Sequence, residues 1–326
     1  MINILRINKI IKPYNQKIVI EGDKSLSIRW VLLASQAVGK SKGYNLLMSE
    51  DVLATIDSIK RLGIKVKMYK DYCEIIGNGI NGFKYKKNLT INARNSGTLG
   101  RLLLGLLIKS PQKIKLIGDK SLSKRDFSRV TLPLERFGAK FHYKVKNKLP
   151  LTILGSQSIK GIRYLEDRGS AQCKSSVMLA ALNSSGTTFI KAKKSRNHSE
   201  LLFKYLKIPI KIKKTKKYDF IDIKQPKKIL SFNYQIPGDI SSSAFFMVLT
   251  TLTNDSKLLI KNVNINPSRI GVIIILKKMG AKILLKNQRN YRGEKIADIL
   301  IKSSNNLKAI NCPSELNSSA IDEFLV

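Results

Sequence analysis

Apolar and polar positions along this chain fall into a repeating pattern. An amphipathic helix, a turn residue and an alternating strand recur at Leu62-Gly63-Ile64-Lys65-Val66, Phe137-Gly138-Ala139-Lys140-Phe141 and Met279-Gly280-Ala281-Lys282-Ile283. A fainter copy runs Leu206-Lys207-Ile208-Pro209-Ile210. With Pro209 as its turn, positions 63, 138, 209 and 280 are spaced by 75, 71 and 71 residues. Glycine at such a point is a usual helix C-cap, and lysine alternating with apolar residues behind it suits a half-buried strand.

A second element keeps the same beat. Four strongly apolar helices are expected, each beginning in small polar residues: Lys24-Ser25-Leu26-Ser27, Asn95-Ser96-Gly97-Thr98, Ser170-Ala171-Gln172 and Ser241-Ser242-Ser243. Bodies such as 102–108 and 177–182 are apolar on every side, which predicts burial and disfavours an open solenoid. Each unit then holds a central helix, an outer helix and several strands, giving an α/β (α+β) architecture built from copies. A fifth central helix is expected near residue 320, where Ser319-Ala320-Ile321-Asp322-Glu323-Phe324-Leu325-Val326 opens one and the sequence stops.

Composition adds bounds. At 326 residues, 43% hydrophobic and 25% charged, the chain is long enough for two domains with their own cores. No apolar run reaches the roughly 18 residues of a membrane span. Residues 1–20 alternate isoleucine with lysine and asparagine and contain no apolar signal core. Cys73, Cys173 and Cys312 lie far apart without metal-ligand spacing, so no metal is expected and reduced thiols in a cytoplasm are the simple reading. A formal charge of +38 would ordinarily raise nucleic acid first, but the lysines are spread along the chain and aromatics are only 7% of residues. No nucleic-acid partner is therefore expected; a cleft for small, multiply anionic substrates is served by the same bias.

Helix N-termini present free N–H groups and the positive dipole end, so they attract anions. Lys24, Ser25 and Arg29 add to this at the first central helix, with Ser25 and Arg29 four apart on one face. On spacing alone, a capped helix with solvated cations stands level with an anion site. Other features have plainer readings. Gly39-Lys40-Ser41 is not a P-loop, because Ala34 occupies the first glycine position and the segment is expected to end a helix instead of opening one. His142 reads as a strand residue, His198 as a helix-start residue or a ligand contact, and Asp51 and Asp57 as solvated positions on an outer helix. Lys144, Lys146 and Lys148 read as one strand face in water, and 211–217 as a solvated basic loop.

Family resemblance decides between the readings of the first helix. Gly22-Asp23-Lys24-Ser25-Leu26-Ser27-Ile28-Arg29 resembles the first signature of the 5-enolpyruvylshikimate-3-phosphate synthases. Asn95-Ser96-Gly97-Thr98 with Arg101 resembles the second, and Gly118-Asp119-Lys120-Ser121-Leu122-Ser123-Lys124-Arg125 the third, with Asp126 where the family usually has proline. Ser170-Ala171-Gln172-Cys173-Lys174-Ser175, Ser195-Arg196-Asn197-His198-Ser199-Glu200, Pro237-Gly238-Asp239-Ile240-Ser241-Ser242 and Asn266-Pro267-Ser268-Arg269 follow in family order. Gly293-Glu294-Lys295-Ile296-Ala297-Asp298-Ile299 and Ile321-Asp322-Glu323-Phe324 complete the series, which covers the whole chain.

The resemblance implies a two-domain enolpyruvyl transferase fold of βαββαβ units, about four and a half of six being present. One domain of three repeats would span 23–236; the second, incomplete, would combine 1–22 with 237–326. The implied reaction adds the 5-hydroxyl of shikimate 3-phosphate to C2 of phosphoenolpyruvate while C3 is protonated, after which phosphate leaves, with no cofactor. The implied shikimate 3-phosphate set is Lys24, Ser25, Arg29, Ser170, Gln172, Arg196 and Asp322. The implied phosphoenolpyruvate set is Lys24, Asn95, Gly97, Arg125 and Gln172. Asp322 would accept a proton, and Lys24 would touch both substrates. The competing expectations are the sister transferase acting on a UDP-amino sugar, or a noncatalytic binder of shikimate 3-phosphate or nucleic acid. Further family arginines and a proton-transferring glutamate would lie beyond Asp322. A chain ending at Val326 is therefore expected to be inactive alone and to expose apolar surface in its second domain. The complete enzyme is expected to be monomeric and inhibitable by glyphosate, since Gly97 keeps the space an alanine would fill.

Overall fold

A computed structural model describes residues 11–326. In chain order it contains β1 (Asn15–Val19), α1 (Lys24–Ser35), β2 (Val38–Tyr44), α2 (Glu50–Arg61), β3 (Lys65–Met68), β4 (Tyr72–Asn78), β5 (Leu89–Asn92), α3 (Gly97–Leu106), β6 (Ile114–Ile117), α4 (Lys120–Ser123), α5 (Ser128–Glu135), β7 (Lys140–Tyr143), β8 (Leu151–Leu154) and β9 (Arg163–Glu166). It continues with α6 (Ala171–Ala181), β10 (Thr187–Lys193), α7 (His198–Tyr205), β11 (Ile210–Lys214), β12 (Tyr218–Lys224), β13 (Tyr234–Gln235), α8 (Ile240–Leu252), β14 (Lys257–Asn264), α9 (Gly271–Lys278), β15 (Lys282–Tyr291), β16 (Glu294–Lys302) and α10 (Asn317–Ala320). No described helix is long and apolar enough to cross a membrane.

Four sheets share one plan: β13-β2-β4-β3, β5-β6-β8-β7, β9-β10-β12-β11 and β1-β14-β16-β15. In each, the first two strands run parallel and the third joins antiparallel. A repeat therefore reads strand, central helix, strand, outer helix, strand, strand. This βαβαββ order corrects the βαββαβ expected above. The outer helix follows the second strand directly, and its C-cap turn feeds the closing strand pair.

The central helices are held by local chemistry. Asp23, Ser96, Ser170 and Asp239 accept from the backbone N–H of Leu26, Leu99, Cys173 and Ser241, closing the first turns of α1, α3, α6 and α8. Residues 26–35 of α1 and 173–181 of α6 are buried without interruption, as their all-round apolarity requires. Each outer helix ends on a left-handed residue: Gly63 (φ 84°), Gly138 (φ 98°), Lys207 (φ 56°) and Gly280 (φ 102°). Lys207, rather than Pro209, is thus the turn of the faint repeat, and the spacing becomes 75, 69 and 73 residues. Side-chain identity hid it, because lysine occupies a backbone position the other copies give to glycine.

Two compact units result. The larger takes Glu21–Pro237 together with Arg292–Glu294; the smaller takes Gly238–Tyr291, Lys295–Val326 and the segment ending at Ile20. At the first boundary the Asp23 N–H donates to Pro237 O at 2.8 Å. Within the smaller unit, α8 packs Ile240, Ala244 and Met247 against Leu258, Ile260, Val263 and Ile299. Its other face leaves Phe245 61% and Leu252 64% exposed. An apolar groove of about 300 Å³, floored by Val272, Leu276 and Met279, lies beside it.

Candidate active site

In the larger unit, α1, α3, α6 and the start of α7 bring most of the implied site residues onto neighbouring elements. Lys24 opens α1, about half exposed, with its Nζ 3.9 Å from Asp51 Oδ2. Ser25 follows, half-buried. Arg29, one turn on, is buried instead of lining open surface. Its Nε donates to Ser199 Oγ at 2.8 Å, Nη1 to Ser25 O at 3.0 Å and Nη2 to Ser175 Oγ at 3.1 Å. Burial pushes the Arg29 pKa down to about 10, opposed by Asp23 and Glu200, so it stays cationic at neutral pH. Nothing in the spacing of Lys24, Ser25 and Arg29 signalled Ser175 and Ser199, which arrive through tertiary packing.

A second cationic cluster forms at the N-terminus of α3. A Cβ built on Gly97 would sit 2.9 Å from Arg125 Nη1 and 3.1 Å from Arg101 Nη1, so two guanidinium groups converge where the helix dipole is positive. Arg101 Nη1 donates to Gln172 Oε1, and Gln172 Nε2 donates to Thr98 Oγ1 at 3.0 Å, which ties α6 to α3. The Arg101 guanidinium lies over the Phe127 ring, 5.6 Å from its centroid. Desolvation lowers the Arg101 pKa, and the nearby Arg125 and Arg129 lower it further. In the sequence Arg101 stands one turn after Gly97, and that spacing on α3 is the signal that it joins the cluster.

Asp126 is explained locally. Its carboxylate accepts from Ser128 N and Ser128 Oγ, both at 2.8 Å, and so starts α5 where proline would otherwise fix the chain. These Ser128 bonds hold its pKa below the usual carboxylate range. Ser170 caps α6, and its N–H donates to Glu166 Oε2 at 2.9 Å. Cys173, beside it, is buried, and desolvation raises its thiol pKa. Asn95 is exposed on the turn before α3, Arg125 is exposed just after α4, and Arg196 is half-buried just before α7.

The start of α7 is a junction. His198 Nδ1 is hydrogen-bonded to Glu294 Oε1 at 2.7 Å with both side chains fully buried. His198 therefore packs as a buried partner of a carboxylate. Ser199 meets Arg29 and lies 2.7 Å from Ser175 Oγ. Glu200 forms an ion pair with Lys174 at 2.6 Å.

Asp322 belongs to the smaller unit, exposed on a 3-10 turn over Ile321–Glu323. The next residue, Glu323, turns inward: it accepts from Ser241 Oγ and lies 3.5 Å from Arg269 Nη2. Arg269 Nη2 also donates to Ser241 Oγ and lies 3.8 Å from Asp239 Oδ1 at the start of α8.

Several plainer readings need correction. Gly39-Lys40-Ser41 lies within β2, not at a helix end. Asp57 is exposed on α2, as expected, and pairs with Arg94 at 2.9 Å, whereas Asp51 is half-buried and faces Lys24. Lys144, Lys146 and Lys148 lie after the end of β7 in a bend, because the connection to β8 takes those residues. Of residues 211–217, the first four belong to β11, paired along β12.

Comparison with known proteins agrees with this architecture. The family model described as EPSP synthase (3-phosphoshikimate 1-carboxyvinyltransferase) matches residues 8–315. The chain is 42% identical over 322 residues to the 3-phosphoshikimate 1-carboxyvinyltransferase of Ruthia magnifica, covering 97% of this chain and 72% of that protein. It is 40% identical over 311 residues to the enzyme of the same name from Thermoanaerobacter sp. strain X514, covering 95% and 71%. The solved EPSP synthase from Acinetobacter baumannii superposes with a TM-score of 0.86 at 36% identity, over 96% of this chain and 71% of that one. With four sheets on one plan, capped central helices and a matching sequence from residue 8 to 315, the chain belongs to the EPSP synthase family.

Proposed function

We propose that this protein transfers the enolpyruvyl group of phosphoenolpyruvate to the 5-hydroxyl of shikimate 3-phosphate, a step of aromatic amino acid biosynthesis, with release of phosphate. Family membership across 8–315 carries the reading. In the reaction, the hydroxyl oxygen bonds to C2 of phosphoenolpyruvate and gives up its proton while C3 takes one. The tetrahedral intermediate then loses C3's added proton and phosphate. Such chemistry needs acid–base groups and charge neutralisation. By resemblance, Asp322 is the proposed proton acceptor. Two cationic groupings support the substrate assignments. Lys24, Ser25 and Arg29, with Ser170, Gln172 and Arg196, form the proposed shikimate 3-phosphate set. Arg125 beside Gly97, with Asn95 and Lys24, forms the proposed phosphoenolpyruvate set, to which Arg101 is added. A cytoplasmic location and the absence of a nucleic-acid partner belong to the same reading.

Calorimetry tests it. Shikimate 3-phosphate should bind the 326-residue chain, and UDP-N-acetylglucosamine should not. Lys24→Ala and Arg29→Ala should each lose binding, since each removes a charge-assisted contact. Unchanged binding in both variants, or preference for the UDP-sugar, would overturn the assignment.

A further inference from the structure

We infer that Ser175 and Ser199 are positioning residues for Arg29, and that the adjoining Lys174–Glu200 ion pair holds the two serines in register. The inference rests on the reading that Arg29 contacts shikimate 3-phosphate. The contacts form a regular pattern across α6 and α7: Lys174 pairs with Glu200 at 2.6 Å, and the next residues inward, Ser175 and Ser199, meet at 2.7 Å. Into this two-rung ladder α1 inserts one side chain, Arg29, whose Nε and Nη2 take the two serine oxygens. With Nη1 bonded to Ser25 O, three of the five N–H groups are engaged. One N–H on each Nη is not used by these three bonds, and N–H groups of this kind are what a carboxylate or phosphate accepts.

The choice of partner matters chemically. A carboxylate would orient a buried guanidinium equally well but would neutralise it. Two hydroxyls accept its N–H bonds without bringing a negative charge into contact with it. The acidic groups that act most on Arg29 each have a bonded partner elsewhere: Asp23 in the first turn of α1, and Glu200 in Lys174. The arrangement therefore orders an arginine in advance while keeping its charge for an anion, which is what preorganised binding requires.

The test combines calorimetry of shikimate 3-phosphate with nitrogen-15 NMR of the Arg29 Nε–H in the full 326-residue chain. Ser199→Ala should weaken binding about tenfold, the usual scale for losing a hydrogen bond to a charged group. It should also turn the Nε–H from protected to fast-exchanging, and Ser199→Thr, which keeps the hydroxyl, should restore both. Should Ser199→Ala fold poorly, Ser175→Ala is read by the same calorimetry and by the Arg29 Nη2 protons, since Ser175 accepts from Nη2. If Arg29→Ala loses binding but the Ser175→Ala/Ser199→Ala protein binds like wild type, or if the Nε–H stays protected in that double variant, the positioning role is overturned. If Arg29→Ala itself binds normally, the substrate reading fails and takes the inference with it.

Discussion

Lys174 and Glu200 meet at 2.6 Å with almost no contact with water, their side chains 0% and 4% exposed. A charge taken out of solvent depends on its ion-pair partner, so removing one of the two costs more than the pair contributes. Glu200→Gln should destabilise the larger unit by about 3–5 kcal/mol. Replacing both, as Lys174→Met/Glu200→Leu, should cost less than either single change. Denaturant midpoints followed by tryptophan fluorescence report the result, since Trp30 is buried in α1 of the same unit. A Glu200→Gln protein as stable as wild type would contradict the account.

Lys207 holds a left-handed backbone conformation, at φ 56°, that the other three repeats give to glycine. A side chain there costs on the order of 1 kcal/mol. Lys207→Gly should therefore raise stability by about 0.5–1 kcal/mol, despite glycine's greater freedom in the unfolded chain. Thermal unfolding of the two proteins side by side is sufficient, and a lowered midpoint would refute the expectation.

Gly97→Ala places a methyl group 2.9 Å from Arg125 Nη1 and 3.1 Å from Arg101 Nη1. Both are ends of flexible side chains, so the helix should survive while the cationic cluster moves aside. Phosphoenolpyruvate binding should fall about tenfold, or ~1.4 kcal/mol, with shikimate 3-phosphate binding little changed. Equal losses for both ligands would show a general distortion instead.

Acid should weaken the smaller unit. Burial alone would raise the Asp298 pKa, but hydrogen bonds from Lys261, the Asn262 N–H and Asn287 outweigh it and hold the pKa below the ordinary value. A carboxylate with a depressed folded pKa stabilises above its unfolded value of about 3.9, and that contribution disappears as pH falls through the folded one. Stability measured from pH 6 to 2 should thus drop below about pH 4. Asp298→Asn should be less stable at pH 6 and show a shallower drop. A slope identical to wild type would remove Asp298 from the account.

What could be read from sequence was local. A Ser or Asp cap followed by an apolar body announces a central helix within one turn, and a glycine C-cap marks the end of an outer one. The repeat was visible for the same reason. Its faint copy was misread by two residues because Lys207 does a glycine's work without a glycine's identity. The surroundings of Arg29 were not legible, because its serine partners lie 146 and 170 positions away. Alternating lysines after Tyr143 imitate a strand, and those after Ile210 imitate a loop. In both places pairing with β8 or β12, not propensity, decided the outcome.

The parallel pairing of Asn15 with Lys257 has a consequence for how the protein is made. Sheets β5-β6-β8-β7 and β9-β10-β12-β11 are assembled from contiguous stretches, so a nascent chain can close each soon after it leaves the ribosome. β1, the first of the described strands, must instead wait for β14. At ordinary elongation rates that interval is on the order of tens of seconds. A waiting strand is a template for the wrong neighbour. Its sequence, Asn15-Gln16-Lys17-Ile18-Val19, opens with three polar residues and carries a lysine at its centre, which keeps the lone edge soluble until its partner is translated.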